Sequence, residues 1–222
     1  MTAVPAQVNT WLFDLDNTLY PPESDFENEV YLRMVCYTAA RFGLDVPAAK
    51  EMVTRHHVAH GATVIGYYQE HGVSPDHFLT FAYWDVALDK LRDWRDSAAL
   101  AEVRRRIAKL PGRRLIFTNG TRYHAERVLA YLGLRELFDD IVDIADGDYR
   151  PKPQPPMYTT LLRRHGLDPT RCAFVEDSAK NLLPAKELGM HTVLVNRPAA
   201  PAAPYIDTTA PTLLDWLRQV TA

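Results

Sequence analysis

The apolar run Trp11-Leu12-Phe13 ends in Asp14-Leu15-Asp16, two carboxylates separated by one residue. Side chains at i and i+2 leave an extended backbone on the same side, so both acids can face one substrate. One carboxylate can act as nucleophile and carry a phosphoryl group covalently. The other can protonate the leaving oxygen and then deprotonate the attacking water. Asp14 and Asp16 suit those two roles. Taken alone, such a pair reads better as a solvated strand end; what changes the reading is three further stretches, in order, each predicted to close another strand.

Thr118-Asn119-Gly120 follows the apolar Leu115-Ile116-Phe117 and opens a helix. This places a hydroxyl and free backbone N–H groups at a helix N-terminus, where a phosphate is favoured. Thr118 and Asn119 are therefore candidate phosphate-binding residues, against the plain alternative of a threonine cap. Lys152 lies between Pro151 and Pro153. Proline fixes its own φ and restricts the residue before it, so the lysine backbone has little freedom. An ammonium held there can neutralise both Asp14 and a transferring phosphoryl group; Arg150 is not pinned in the same way. Glu176-Asp177 follows the predicted strand Cys172 to Val175 and precedes a helix. Clustered carboxylates are costly unless solvated or neutralised by a cation. An all-oxygen set with few protein ligands suits Mg2+, with Asp177 as direct ligand and Glu176 direct or through water. The alternative is acidic residues favoured at a helix N-terminus.

Asp14-Leu-Asp16-Asn-Thr18 resembles the first motif of the haloacid dehalogenase superfamily, and the run from Asp14 to Pro21 resembles its pyrimidine 5'-nucleotidase branch. The later motifs extend the resemblance over roughly residues 10–197. It implies a Mg2+-dependent hydrolase in which Asp14 supplies a carboxylate oxygen and Asp16 its backbone carbonyl to the metal, and Thr118 hydrogen-bonds a phosphoryl oxygen. It also implies a helical cap between the first and second motifs.

The elements needed to position these residues can be read from the chain. From Ser24 to Asp96 the apolar spacing is helical: Phe26, Val30, Met34 and Tyr37, then a helix from Pro47 to His60, a shorter piece with Tyr67 and Tyr68, and one opened by Ser74-Pro75 with Phe78, Phe81, Ala82 and Trp84 on its apolar side. From Ser97 strands and helices alternate: helix to Leu110, strand 114–117, helix 121–132, strand 141–144, helix to His165, strand 172–175, helix 178–188, strand 192–195. Such alternation predicts an α/β fold, a Rossmann-like, mainly parallel sheet with helices on both faces, whose ligands bind beyond the carboxyl ends of the strands. The expected division is a core of 1–21 and 97–222 with a helical cap of 22–96. Residues 198–204 read as a polyproline-like connector and 211–221 as a final surface helix.

The 222 residues are 47% hydrophobic, with formal net charge −3, so a real core is expected and no basic field calls for nucleic acid or an anionic membrane. Two cysteines without metal or disulfide spacing, and no signal segment or long apolar run, predict a cytoplasmic protein in a reducing compartment. Arg104, Arg105 and Arg106 read as the wet side of a helix that buries Leu100, Val103 and Ile107. His56, His57 and His60 lack the intervening Glu of a zinc-protease helix and read as a polar cap face or plain surface.

The expected function is hydrolysis of a small phosphorylated metabolite through an aspartyl-phosphate, with a pyrimidine nucleoside 5'-monophosphate as the substrate the resemblance implies. The alternatives are a sugar phosphate or other small phosphomonoester, and a catalytically silent binding protein on the same fold. Dehalogenation has no use for the second acid, and Asp16 is present.

Overall fold

The structure is a computed structural model describing residues 4–196 and 203–221. Its sheet runs through β1 (Thr10–Phe13), β2 (Arg113–Phe117), β3 (Asp140–Val142), β4 (Cys172–Glu176), β5 (His191–Val195) and β6 (Thr208–Ala210). The spatial order is β3-β2-β1-β4-β5-β6 and every pairing is parallel. This is the expected α/β fold.

Successive residues of a strand point to opposite faces, and here both faces are covered, so the central strands are apolar throughout. Trp11, Phe13, Ile116, Val175 and Val193 pack on one side with Leu100, Val103, Val128, Trp216 and Leu217. Leu12, Leu115, Phe117, Phe174 and Leu194 pack on the other with Met157, Tyr158, Leu161 and Leu182. The first layer is formed by α6 (Ala98–Ile107), α7 (Arg122–Leu132) and α10 (Leu213–Val220), the second by α8 (Pro155–His165) and α9 (Ala179–Glu187).

The insert between β1 and β2 holds α1 (Phe26–Phe42), α2 (Val46–His60), α3 (Thr63–His71), α4 (Pro75–Tyr83) and the single turn α5 (Arg92–Arg95), with no strand among its described residues. It has apolar clusters of its own, one around Tyr37, Val64, Tyr67 and Phe78 and one around Val35, Ala49 and Val53. Phe26, Val30, Val86 and Leu91 join the cluster on the sheet.

Local chemistry sets the boundaries. The Ser97 hydroxyl accepts from Leu100 N–H at 3.1 Å and starts α6; Thr121 does the same for His124 N–H at 3.2 Å and starts α7. Gly133 ends α7 in the left-handed region at φ 63°.

Several expectations shift. Helix α6 stops at Ile107 rather than Leu110. Strand β3 stops at Val142, because Asp143 and Asp146 cap a 3-10 turn reciprocally. Strand β4 includes Glu176, buried at its end. Trp84 lies beyond the end of α4, 55% exposed, with its ring stacked on Tyr123 at 4.7 Å. The short polar strand β6 lacks the alternation that would announce it. Most of the 198–204 connector lies outside the described residues.

Candidate active site

The site forms where the strand order turns back on itself. From β1 the chain builds β2 and β3 to one side, then returns to place β4 on the other, and a crevice opens at the carboxyl ends of β1 and β4. Phe13 is in register with Ile116 and Val175, and Asp14 N–H donates to the Val175 carbonyl at 3.0 Å. That register sets Asp14 beside Glu176, which follows Val175. Asp14, Glu176 and Asp177 present carboxylate oxygens within 4.8 Å of one another.

Lys152 closes this rim from the loop before α8. Its Nζ donates to Asp14 Oδ1 at 2.8 Å, to the Phe117 carbonyl at 2.6 Å and to Glu176 Oε2 at 3.5 Å. An ammonium has three N–H groups, and each has an acceptor here. The rings of Phe117 and Phe174 lie 5.0 and 5.1 Å from it. Its backbone is held as firmly: Lys152 N–H donates to Asn119 Oδ1 at 2.7 Å, and Asn119 Nδ2 donates back to the Lys152 carbonyl at 3.1 Å. The Asn119 side chain, expected with the phosphate-binding groups, is thus engaged at both ends of its amide.

Asn17, at φ 59°, bends the chain back over the rim in a conformation that Asn tolerates. The bend returns Thr18 Oγ1 to Asp14 Oδ2, to which it donates at 3.1 Å, and Tyr20 OH to Asp16 Oδ1, to which it donates at 2.7 Å. His124 Nε2, from the first turn of α7, meets the same Asp16 oxygen at 2.9 Å. The His124 ring is stacked with Phe26 at 5.8 Å and an interplanar angle of 7°. Gly120 N–H donates to Thr118 Oγ1 at 2.9 Å, which leaves the buried hydroxyl's own proton for another acceptor. A Cβ at Gly120 would press on Thr118 Oγ1 and His124 Cδ2, both at 3.3 Å.

Electrostatics follow from burial. Desolvation, reinforced by Asp16, holds the Asp14 carboxyl above its ordinary value despite Lys152. At Asp16 burial acts in the same direction but is outweighed by His124, Tyr20 and Lys152, so its carboxyl lies below the ordinary value. Burial works against the charge on Lys152; Asp14, Glu176 and Asp177 outweigh it and keep the ammonium charged. Burial and the Asp14 charge push Glu176 well above the usual carboxylate range, and Asn181 Nδ2 donates to its Oε1.

Asp16, Asn119 and Lys152 open onto a cavity of about 390 Å³ between the sheet rim and the helical insert. Its far walls are Val30 and Met34 of α1, Val53 and His57 of α2, Val64 of α3, and Phe78 and Leu79 of α4. Glu27 and Lys180 are also on its surface. Burial and Lys180 hold the His57 pKa below its ordinary value.

All seven residues singled out from the sequence lie at this rim. Arg150 pairs instead with the exposed Asp148 at 3.4 Å. Of the three cap histidines, His57 lines the cavity, whereas His56 and His60 meet Glu70 of α3. Sequence reasoning missed His124, Tyr20, Asn181 and the role of Thr18. A histidine one turn into the helix opened by Thr118-Asn119-Gly120, on the face carrying Ala125, Val128 and Leu132, was the available signal for the first.

A family model described as haloacid dehalogenase-like hydrolase matches residues 8–189. Phosphate metabolism protein 8 of Saccharomyces cerevisiae is 24% identical over 193 residues, 83% of this chain and 60% of that protein. Fructose-1-phosphate phosphatase YqaB of Escherichia coli is 39% identical over 69 residues, 31% of this chain and 36% of that protein. The chain thus spans less than two thirds of either relative's length. A solved HAD phosphatase from Thermococcus onnurineus superimposes with a TM-score of 0.62 at 20% identity, covering 95% of this chain and 97% of that one. Among the described residues no helix is long and apolar enough to cross a membrane.

Proposed function

The chain belongs to the haloacid dehalogenase-like hydrolases, and from that premise we propose that it is a Mg2+-dependent phosphomonoesterase working through an aspartyl-phosphate on Asp14. The observation that carries this reading is the Asp14–Lys152 contact of 2.8 Å at a rim shared with Glu176 and Asp177. A nucleophilic carboxylate needs an orienting donor on each oxygen and a cation for the phosphoryl group it will carry. Thr18 and Lys152 supply those donors.

In the first step an Asp14 oxygen attacks phosphorus in line with the ester oxygen; Asp16, ionised in the free site, takes a proton from the entering monoanionic phosphomonoester and passes it to that oxygen as the P–O bond breaks. In the second, Asp16 takes a proton from water as that water attacks phosphorus, breaking the bond to Asp14 and releasing phosphate. His124 and Tyr20 both donate to Oδ1 of Asp16 and so fix the orientation of its carboxyl group. Thr118 directs its hydroxyl proton to a phosphoryl oxygen. Asn119 acts on Lys152 through the loop backbone, and its own N–H adds to the donors at that strand end. Asp14, Asp177 and Glu176, all oxygen donors, and the Asp16 carbonyl fit Mg2+, which when bound supplies charge neutralisation for the phosphoryl oxygens. Dehalogenation would leave Asp16 and its two donors without a task.

The substrate is a small phosphorylated metabolite whose leaving group fills the cavity under the helical insert. A pyrimidine nucleoside 5'-monophosphate is favoured by its largely apolar and aromatic wall, which offers Phe78 and Tyr83 to a base. A sugar phosphate is the second reading, favoured by the E. coli relative named for fructose 1-phosphate. Phosphate release from an aryl phosphate with and without Mg2+, with Asp14→Asn as control, tests the reaction. Equal inactivity of wild type and variant supports a silent binding protein instead. A panel of nucleotides and sugar phosphates, ranked by kcat/KM, then decides the leaving group.

A further inference from the structure

The insert carries a second constellation between α2 and α3. His56 and His60, one turn apart on α2, face Glu70 and His71 in the last turn of α3. His56 is fully buried, and its Nδ1 lies 2.7 Å from the Met52 carbonyl. A carbonyl only accepts, so Nδ1 carries a hydrogen and Nε2 is turned outward, where the neutral form of the ring offers a lone pair. That lone pair faces His71 Nε2 at 3.1 Å and Glu70 Oε2 at 3.2 Å, and the last two atoms are 3.9 Å apart. The other Glu70 oxygen is held by His60 Nε2 at 2.6 Å.

Two of these three distances, 3.1 and 3.2 Å, are close to the edge of a coordination tetrahedron, and the third, at 3.9 Å, is longer. Bonds of about 2.0–2.1 Å to a tetrahedral Zn2+ require ligand atoms about 3.3 Å apart. A single proton joins one pair of these three atoms; a divalent cation can join all three. The surroundings match a metal site as well. The buried ligand donates its far N–H to a backbone carbonyl, and the carboxylate is held by a third histidine, His60. Gly66 keeps the rings in place, since a Cβ there would lie 2.5 Å from His56 Cδ2 and 2.7 Å from His60 Cδ2. Glu70 and His71 are partly exposed, which opens an entry path and a coordination position for water.

We propose that His56, Glu70 and His71 bind a zinc-class divalent cation that clamps α3 to α2, separate from the carboxylate rim. Imidazole and carboxylate donors select this class over Mg2+. The clamp ties together two helices whose other faces, at Val53, His57 and Val64, line the cavity.

The test is thermal unfolding of the full chain, stripped with chelator and titrated with Zn2+, for wild type, His71→Ala, Glu70→Gln and Asp14→Asn. At a Zn2+ concentration a hundredfold above Kd, the midpoint of wild type and of Asp14→Asn rises by about 5–10 °C. His71→Ala and Glu70→Gln, with circular dichroism unchanged, lose that rise and bind Zn2+ at least about tenfold more weakly. Co2+ in place of Zn2+ gives the strong visible absorption of a tetrahedral site in wild type and not in His71→Ala. No midpoint rise in wild type, or an equal rise in both cap variants, overturns the proposal. So does a rise lost only in Asp14→Asn, which places the ion at the rim.

Discussion

The two walls of the cavity are built on opposite principles. On the sheet side the polar atoms around Asp14 are held closely: both oxygens of Asp14, all three protons of Lys152 and both ends of the Asn119 amide have partners. On the insert side the wall is mostly Val30, Met34, Val53, Val64, Phe78 and Leu79, interspersed with polar side chains at Glu27, Thr54, His57 and Thr63. Saturated hydrogen bonding preorganises charge for a transition state. An apolar surface discriminates shape weakly and is easily changed by single substitutions. On the proposed reading, bond-making belongs to the rim and leaving-group choice to the insert.

The sharpest way to break this comparison is at Asp14 itself. Asp14→Asn removes the nucleophile and is expected to cost roughly 10^4-fold or more in kcat, measured in single-turnover phosphate release. Lys152→Met should be nearly as damaging to kcat and should also unfold more readily. Removing one partner of a buried ion pair costs about 3–5 kcal/mol, and here Asp14 and Glu176 would both remain, read as a lower midpoint in urea.

His124→Phe keeps a ring beside Phe26 but deletes one donor to Asp16. A hydrogen bond to a charged group is worth about 1.5–3 kcal/mol, so kcat should fall about 10- to 100-fold with KM little changed. On the insert side the effect should have the other signature. Leu79→Ala should raise KM a few-fold to about tenfold and leave kcat within about twofold, because that contact is made equally in the ground and transition states. A kcat loss at Leu79 as large as that at His124 would erase the distinction drawn here.

The smallest effect lies far from both walls. Burial would raise the Asp207 carboxyl, but Lys186 at 2.6 Å and donors from Thr192 outweigh it and hold it below its ordinary value of 3.8. A depressed folded-state pKa gives stability that is present above the unfolded value and lost as pH falls through the folded one. The stability difference between wild type and Asp207→Asn should therefore be constant above neutrality, beyond the titration of His191, whose Nδ1 lies 3.7 Å from Asp207 and whose pKa burial holds below its ordinary value. It should shrink as pH drops below 3.8, followed by urea unfolding at several pH values.

Much of the rim was legible in the chain because local rules write it there. An apolar run long enough for a buried strand, ending in acids, must release those acids at the sheet edge, and this holds for Asp14 as for Glu176. Two prolines around Lys152 restrict its backbone wherever the loop goes. The helix periods of α1, α2 and α6 are equally local.

The sequence alone thus determined most element types, the parallel sheet and the principal acids and lysine able to do chemistry, since propensity, period and turn residues act over a few positions. Only the tertiary structure decided that Phe13 aligns with Val175, that His124 reaches Asp16 across 108 positions, and that His56, Glu70 and His71 share one point in space. Each depends on strand register or on the rotation of a packed helix. Those are set by the fit of the whole core, where a shift of one residue would turn every side chain to the other face.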